Sequence, residues 1–305
     1  MHTHSVRPLS GGVDSLVKSF IGPNLAEERT PKEVRLASET IRMDYGRIAG
    51  IHHRDPDDQV VLVPGFGSGW IGIAELGSYL ALLGRNVTMV SLPGYGNSDD
   101  PSESYYANAR DFYSEAEALA CFAKEMFEEW ECAGSVHWVG HSLAAAVITE
   151  LGRHYPKFVG SLTLLNPAGF ERKMRVPLAA RFILSGALNR IFFRGETLYP
   201  RIKPFLPKER SPFTAARLSQ RMSEWRRIAE NSAYHALMDV PRNIPVAYMT
   251  GAKDFVFPID SSSIIRDNLL RSRQNTIETL PLGHNTTLLG SKVTADVINE
   301  FLLSV

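Results

Sequence analysis

The chain has 305 residues, enough for one large domain carrying an insertion rather than a minimal fold. Its 33 Lys/Arg balance 33 Asp/Glu and 44% of residues are hydrophobic, which gives no sign of a nucleic-acid partner and argues against disorder. No apolar run approaches the roughly 18 residues of a membrane span, and Cys121 and Cys132 have neither metal-ligand nor disulfide-framework spacing. With no secretory leader read at the N-terminus, a reduced, cytoplasmic chain is expected.

In chain order, Val13, Leu16, Val17, Phe20 and Ile21 fall at helical spacing. They predict a short amphipathic helix stopped by Gly22-Pro23, its stripe packed on the body of the protein or, as the sharper alternative, in transient contact with a membrane surface. Thr40 to His53 reads as a hairpin turning at Asp44-Tyr45-Gly46. Val60–Val63 is an all-apolar run of the kind found in strands covered on both faces, and it ends in Pro64-Gly65. A helix is expected from about Ile73 to Leu83, a strand at Val87–Val90, and helical periodicity from Tyr105 to Glu131. Then come a strand at Val136–Val139, a helix at Leu143–Tyr155 and a strand at Leu162–Leu165. Near the end, strands at Val246–Met249 and Thr276–Leu280 alternate with helices at Ser261–Arg271 and Val293–Leu303. This rhythm predicts a mostly parallel, doubly wound α/β sheet with an antiparallel edge hairpin and helices on both faces.

The rhythm breaks between Glu171 and about Asn231. That stretch has helical patches, prolines and bulky apolar residues, and reads as a helical cap inserted over the carboxyl edge of the sheet, where ligands of open α/β sheets bind. The expected organisation is therefore an N-terminal extension (1–38), a core built from 39–170 and 232–305, and a cap (171–231). Between Glu171 and Asn231, excluding both ends, 14 Lys/Arg stand against 4 Asp/Glu. Such an excess is a solvated face or is paired with the core; attraction of anionic substrates or lipid headgroups is the sharper reading. Transient membrane-surface contact through the N-terminal helix or this basic cap is the partner expectation.

Gly140-His141-Ser142-Leu143-Ala144 follows one predicted strand and opens a helix. A tight strand-to-helix turn lifts the serine hydroxyl above the sheet and requires small residues two positions before and after, which Gly140 and Ala144 satisfy. A serine hydroxyl is a poor nucleophile near neutral pH and needs a positioned base. Of the nine histidines only His284 lies in the final fifth of the chain, just after the last predicted strand. His141 adjoins the serine, but the turn is expected to point the two side chains apart. Asp254, in the loop after Val246–Met249, is the acid that would orient the base, with Asp260 as competitor. Asn166 ends its strand on the same edge but has no carboxylate. The oxyanion donors expected are the N–H groups of Leu143 and Phe66, the latter in the glycine-rich loop Pro64–Trp70. That loop lacks the Walker lysine, and no G-x-G-x-x-G is present, so no nucleotide, cofactor or metal is expected.

Taken together, these residues resemble the α/β-hydrolase superfamily from roughly Glu39 to the C-terminus, and Leu92-Pro93-Gly94-Tyr95-Gly96-Asn97-Ser98 resembles the loop after its second core strand. Two positions depart: Ser91 stands where the family often has aspartate, and Pro64-Gly65 where it commonly has His-Gly. The resemblance implies a serine hydrolase of carboxylesterase or lipase type; the apolar cap favours an ester with a hydrophobic part, some of Phe182, Leu188, Phe192 and Phe193 being expected to line its pocket. The alternatives are a C–C bond hydrolase of a diketone-like substrate and a ligand-binding protein of this fold with little turnover.

Overall fold

The computed structural model describes residues 13–27, 29–51, 59–103, 105, 111–130, 136–170, 198–211, 214–230, 232–257, 275–285, 287 and 290–305. The described residues open on α1 (Val13–Leu16), a π-helical turn (Val17–Ile21) and α2 (Gly22–Ala26). The expected stop at Gly22-Pro23 does not occur. Gly22 keeps helical angles and its N–H bonds Val17 O, five residues back. This wide turn opens the hydrogen-bond ladder just where Pro23 has no N–H to give, so the helix passes the proline. Val17, Ile21 and Leu25 are buried in a cluster with Ile48 and Ile202. The apolar stripe is thus turned to the body of the protein.

A hairpin follows, shifted from its expected place. β1 (Lys32–Arg35) pairs antiparallel with β2 (Thr40–Met43), while β3 (Tyr45–Ile48) joins a different sheet. The turn expected at Asp44–Gly46 is absent because one residue, Asp44, separates β2 from β3, and the chain runs straight on: Asp44 O accepts the Ser91 N–H at 2.9 Å.

β3 is the antiparallel edge of a seven-stranded sheet ordered β3-β5-β4-β6-β7-β8-β9, whose other neighbours are all parallel. Its parallel strands are β4 (Gln59–Val63), β5 (Asn86–Val90), β6 (Val136–His141), β7 (Val159–Leu165), β8 (Val246–Lys253) and β9 (Thr276–Gly283). A 3-10 turn (Trp70–Ile73) leads into α3 (Ala74–Leu82), and the remaining α-helices among the described residues are α4 (Tyr113–Trp130), α5 (Leu143–His154), α6 (Tyr199–Ile202), α7 (Ala215–Ala229), α8 (Ser232–Asp239) and α9 (Ser291–Leu302). Alternate residues of β4 feed opposite cores. Val61 and Val63 pack with α4 and α5, and Val60 and Leu62 pack with α3 and α9. Burial on both faces explains the continuous apolar runs. Among the described residues no helix is long and apolar enough to cross a membrane. The expected helix at Ser261–Arg271 and the segment 171–197 lie outside the described residues.

In the described part of the inserted stretch, 199–205 and Ala215–Ala229 are helical and 206–211 are not, and three of its arginines face inward. Arg217, Arg221 and Arg227 on α7 are buried and meet Asp100, Glu224 and Glu115 at 2.6, 2.7 and 2.6 Å. Part of the basic excess is therefore ion pairing, two of these pairs reaching outside the stretch, to Asp100 and to the buried Glu115.

Candidate active site

Ser142 sits between β6 and α5 at φ 54°, ψ −116°, a conformation that side-chain-bearing residues rarely adopt. Its backbone is tied down on both sides: the N–H donates to Leu165 O at 2.9 Å, and the C=O accepts the N–H groups of Ala145 and Ala168, each at 3.1 Å. A Cβ on Gly140 would lie 2.6 Å from Ala144 O and 2.8 Å from Ala145 N, so only glycine lets the strand and helix close up here. Gly65 fulfils a similar condition, since a Cβ there would approach His141 Nδ1 and Ser142 Cβ to 3.0 Å. The oxyanion-loop candidate therefore lies directly against the serine.

The structure brings Ser142, His284 and Asp254 together, all of them buried. His284 Nε2 is 3.1 Å from Ser142 Oγ, and His284 Nδ1 is 2.9 Å from Asp254 Oδ2. The second carboxylate oxygen accepts the N–H groups of Val256 and Phe257 at 2.8 and 2.9 Å, which fixes the carboxylate plane. With an acceptor facing Nδ1, the neutral ring carries its proton there and turns the Nε2 lone pair to the serine. The two loops meet through a bulge: between Gly251 and Lys253, two steps along β8 face three along β9. A Cβ on Gly251 would come within 2.5 Å of Leu282 O, so this junction too needs glycine. Asp260, the competing acid, lies outside the described residues, as do Phe182, Leu188, Phe192 and Phe193.

Two residues set aside on sequence grounds buttress the site. His141 does not point away: its Nε2 lies 2.9 Å from His284 O and its ring 5.2 Å from the His284 ring. Burial, with His284 alongside, lowers its pKa to about 4, so it stays neutral and donates from Nε2 to that carbonyl. Asn166, at φ 45°, donates to the carbonyls of His284 and Gly283 at 2.7 and 3.2 Å and accepts the Gly251 N–H at 2.7 Å. One side chain thus ties β8 to the loop after β9. The available signal was a polar residue, tolerant of positive φ, closing an apolar strand.

Phe66 and Leu143 flank the serine, Leu143 as first residue of α5 and Phe66 in the wall of a cavity of about 140 Å³. Gly65, Ser68, Ser142, His284 and Thr287 also line it. Behind Phe66 stands α7: the Trp225 ring lies 5.5 Å from the Phe66 ring, and Arg221 stacks 3.5 Å over Tyr95. Among the described residues no group of three or more His, Cys, Asp or Glu could hold a metal ion.

Comparison with known proteins matches the chain to the alpha/beta hydrolase family over residues 60–296. Lipase 3 of Moraxella sp. (strain TA144) is 22% identical over 289 residues, 90% of this chain and 86% of the lipase. Among solved structures, a lipase-esterase related protein from Clostridium acetobutylicum ATCC 824 is similar with a TM-score of 0.61, at 17% identity over 85% of this chain and 99% of that one. A meta-cleavage product hydrolase from Pseudomonas fluorescens IP01 is similar with a TM-score of 0.62, at 16% identity over 90% of this chain and 97% of that one. At such identities the structures speak for the fold alone. The chain belongs to the alpha/beta hydrolase family.

Proposed function

We propose that the chain is a serine hydrolase of lipase or esterase type that cleaves a carboxylic ester with a hydrophobic part through an acyl-enzyme. The observation that carries this reading is the unbroken relay from Ser142 through His284 to Asp254 at 3.1 and 2.9 Å, with the serine held at a positive φ. Ser142 Oγ attacks the ester carbonyl while His284 Nε2 takes its proton, and Asp254 stabilises the imidazolium without itself being protonated. The N–H groups of Phe66 and Leu143 receive the developing oxyanion. His284 then returns the proton to the departing alcohol, leaving Ser142 acylated, and the same steps with water as nucleophile release the acid. Likeness to a lipase along most of both chains supports the lipase–esterase reading over other hydrolytic chemistries.

The cavity of about 140 Å³ is under half the smallest volume, roughly 300 Å³, of pockets that enclose drug-sized ligands. It holds the reacting carboxyl group and a few atoms beside it; a longer chain extends beyond, toward the apolar residues proposed to line it, Phe182, Leu188, Phe192 and Phe193. The test is labelling with a fluorophosphonate followed by a panel of esters of increasing acyl length. The wild type should label at Ser142 and Ser142→Ala should not, with turnover down by several powers of ten. Each buried methylene is worth about 0.8 kcal/mol at most, roughly a factor of 4. Specificity constants should therefore rise with chain length and then fall once the pocket is full. Labelling without ester turnover would transfer support to C–C bond hydrolysis or to ligand binding, and labelling at another serine would overturn the site.

A further inference from the structure

Glu209, in the described part of the chain between β7 and α7, reaches the loop that lines the cavity. Glu209 Oε1 accepts the N–H of Ile71 at 3.1 Å, its carboxylate is also bonded by the Gly69 N–H, and the Trp70 N–H between them goes to Ser91 Oγ at 2.9 Å. These N–H groups open the 3-10 turn that continues into α3. A helix start leaves such donors without intrahelical partners, and Gly69, at the N-cap, has no side chain to offer them. Glu209 supplies the cap from 138 positions along the chain. Two glycines make room for it: a Cβ on Gly69 would collide with the carboxylate, and one on Gly96 would approach Oε1 to 3.1 Å. The flanking backbone is fixed by Asn97, whose amide donates to Lys208 O at 3.1 Å and accepts the Arg210 N–H at 3.3 Å, and by Arg210, which donates to Ser98 O. The capped turn follows directly on the loop that carries Phe66 and Ser68 into the cavity wall.

We propose that Glu209 is a positioning residue for the oxyanion loop: by capping the turn at Trp70–Ile73 from the inserted segment, it sets the Phe66 N–H for the reacting carbonyl, so that seating of this segment and competence of the site are one event. This rests on the hydrolytic reading of Ser142 and names a control acting on it. Among the described residues the charged group that acts on Glu209 is Asp44, at the junction of β2 and β3, while its own neighbour Arg210 turns to Ser98 O and lies 3.8 Å from Asp100. Burial, with Asp44 adding to it, lifts the Glu209 carboxyl to about 7 against the two N–H bonds it accepts. Ionisation strengthens the two N–H bonds, but burial and Asp44 outweigh them. The seat therefore holds the neutral carboxyl better than the carboxylate, and seating weakens as pH rises from the ordinary carboxylate range to about 7.

The test uses Glu209→Gln and Glu209→Ala, with rates expressed per Ser142 titrated by phosphonate so that unfolded protein drops out. For a short ester, kcat of Glu209→Ala should fall about tenfold or more with KM little changed, as expected when positioning is lost. The wild-type kcat profile should contain an ionisation near pH 7 that is missing in Glu209→Gln. Amide hydrogen exchange at 69–71 should accelerate in Glu209→Ala without substrate. Wild-type kcat per titrated site in Glu209→Ala, or survival of the pH 7 ionisation in Glu209→Gln, would overturn the proposal. A wild type that neither labels nor turns over esters would overturn the hydrolytic reading and the catalytic role with it, while exchange at 69–71 still decides whether Glu209 is the cap.

Discussion

Asp254 uses its two carboxylate oxygens for different tasks, and this makes its replacement by asparagine informative. Oδ1 is held by two backbone N–H groups, those of Val256 and Phe257, so the amide of Asp254→Asn should keep its oxygen there and present its NH2 to His284. The imidazole would then have to accept at Nδ1 and carry its proton on Nε2, offering Ser142 a donor where it needs an acceptor. With packing unchanged, the melting temperature should move little while kcat falls about 10⁴-fold, the size of the corresponding loss in a serine protease triad. Rates within tenfold of wild type in steady-state assays would remove Asp254 from the role proposed for it. The neighbouring buttresses act on geometry instead. His141 and Asn166 both donate to the carbonyl of His284, so the backbone that presents the base is held from two sides. Position in the chain was enough to single out Ser142, Asp254 and His284, because each follows a strand whose end lies on one edge. It was not enough for His141 and Asn166. What they do depends on which carbonyl passes within 3 Å, and that is decided by the β8–β9 bulge.

At the scale of the element, the turn from β6 to α5 is set by contact between backbones. A Cβ on Gly140 would meet Ala144 O, Ala144 C and Ala145 N, all main-chain atoms that no rotamer change can clear. Gly140→Ala should therefore push α5 away from the strand and destabilise the protein by about 1–3 kcal/mol, the usual range for overpacking. Because the same turn aims the hydroxyl, phosphonate labelling per folded molecule should slow as well; denaturant unfolding and labelling rates together check this, and an unchanged midpoint would show that the contact is not limiting. The central elements were legible because burial on both faces writes a continuous apolar run into β4 and mainly apolar ones into β5, β6 and β7, and glycine or proline marks where several of them end. The N-terminal elements were harder to read. Pro23 signals a helix end, yet the π turn before it removes the bond the proline would have broken. Thr40–Ile48 alternates as a hairpin should, yet pairing is settled by neighbours remote in sequence: β2 finds β1, and β3 finds β5. Alternation shows which face of a strand is buried and not which strand lies beside it.

Across the whole molecule, the balanced charge conceals a basic segment whose arginines are partly committed to the core. Arg227 is the clearest case. Its guanidinium donates to both oxygens of Glu115 on α4, at 2.6 and 3.0 Å, and to Asp111 O at 2.7 Å, and it lies 4.3 Å over the Phe112 ring. Both partners are almost fully buried. Arg217 meets Asp100 at the same 2.6 Å, but Asp100 is about half exposed. Equal distances therefore predict unequal energies. Removing one member of a pair buried on both sides strands a charge away from water and costs about 3–5 kcal/mol, whereas loss of the half-exposed Asp100 admits water to the buried Arg217 guanidinium and costs less. Glu115→Ala should lower stability by the larger amount and Asp100→Ala by the smaller, measured by denaturant unfolding at one ionic strength. Salt should narrow the effect of Asp100→Ala and leave that of Glu115→Ala nearly unchanged, because buried charges are poorly screened. Replacing both members, Glu115→Leu with Arg227→Met, should recover most of the loss, since no uncompensated charge remains. If Glu115→Ala and Asp100→Ala cost the same, the Arg227 pair does not fasten α7 to α4. The helix that stands behind Phe66 would then have to be held by its apolar contacts, Trp225 against Phe66 first among them.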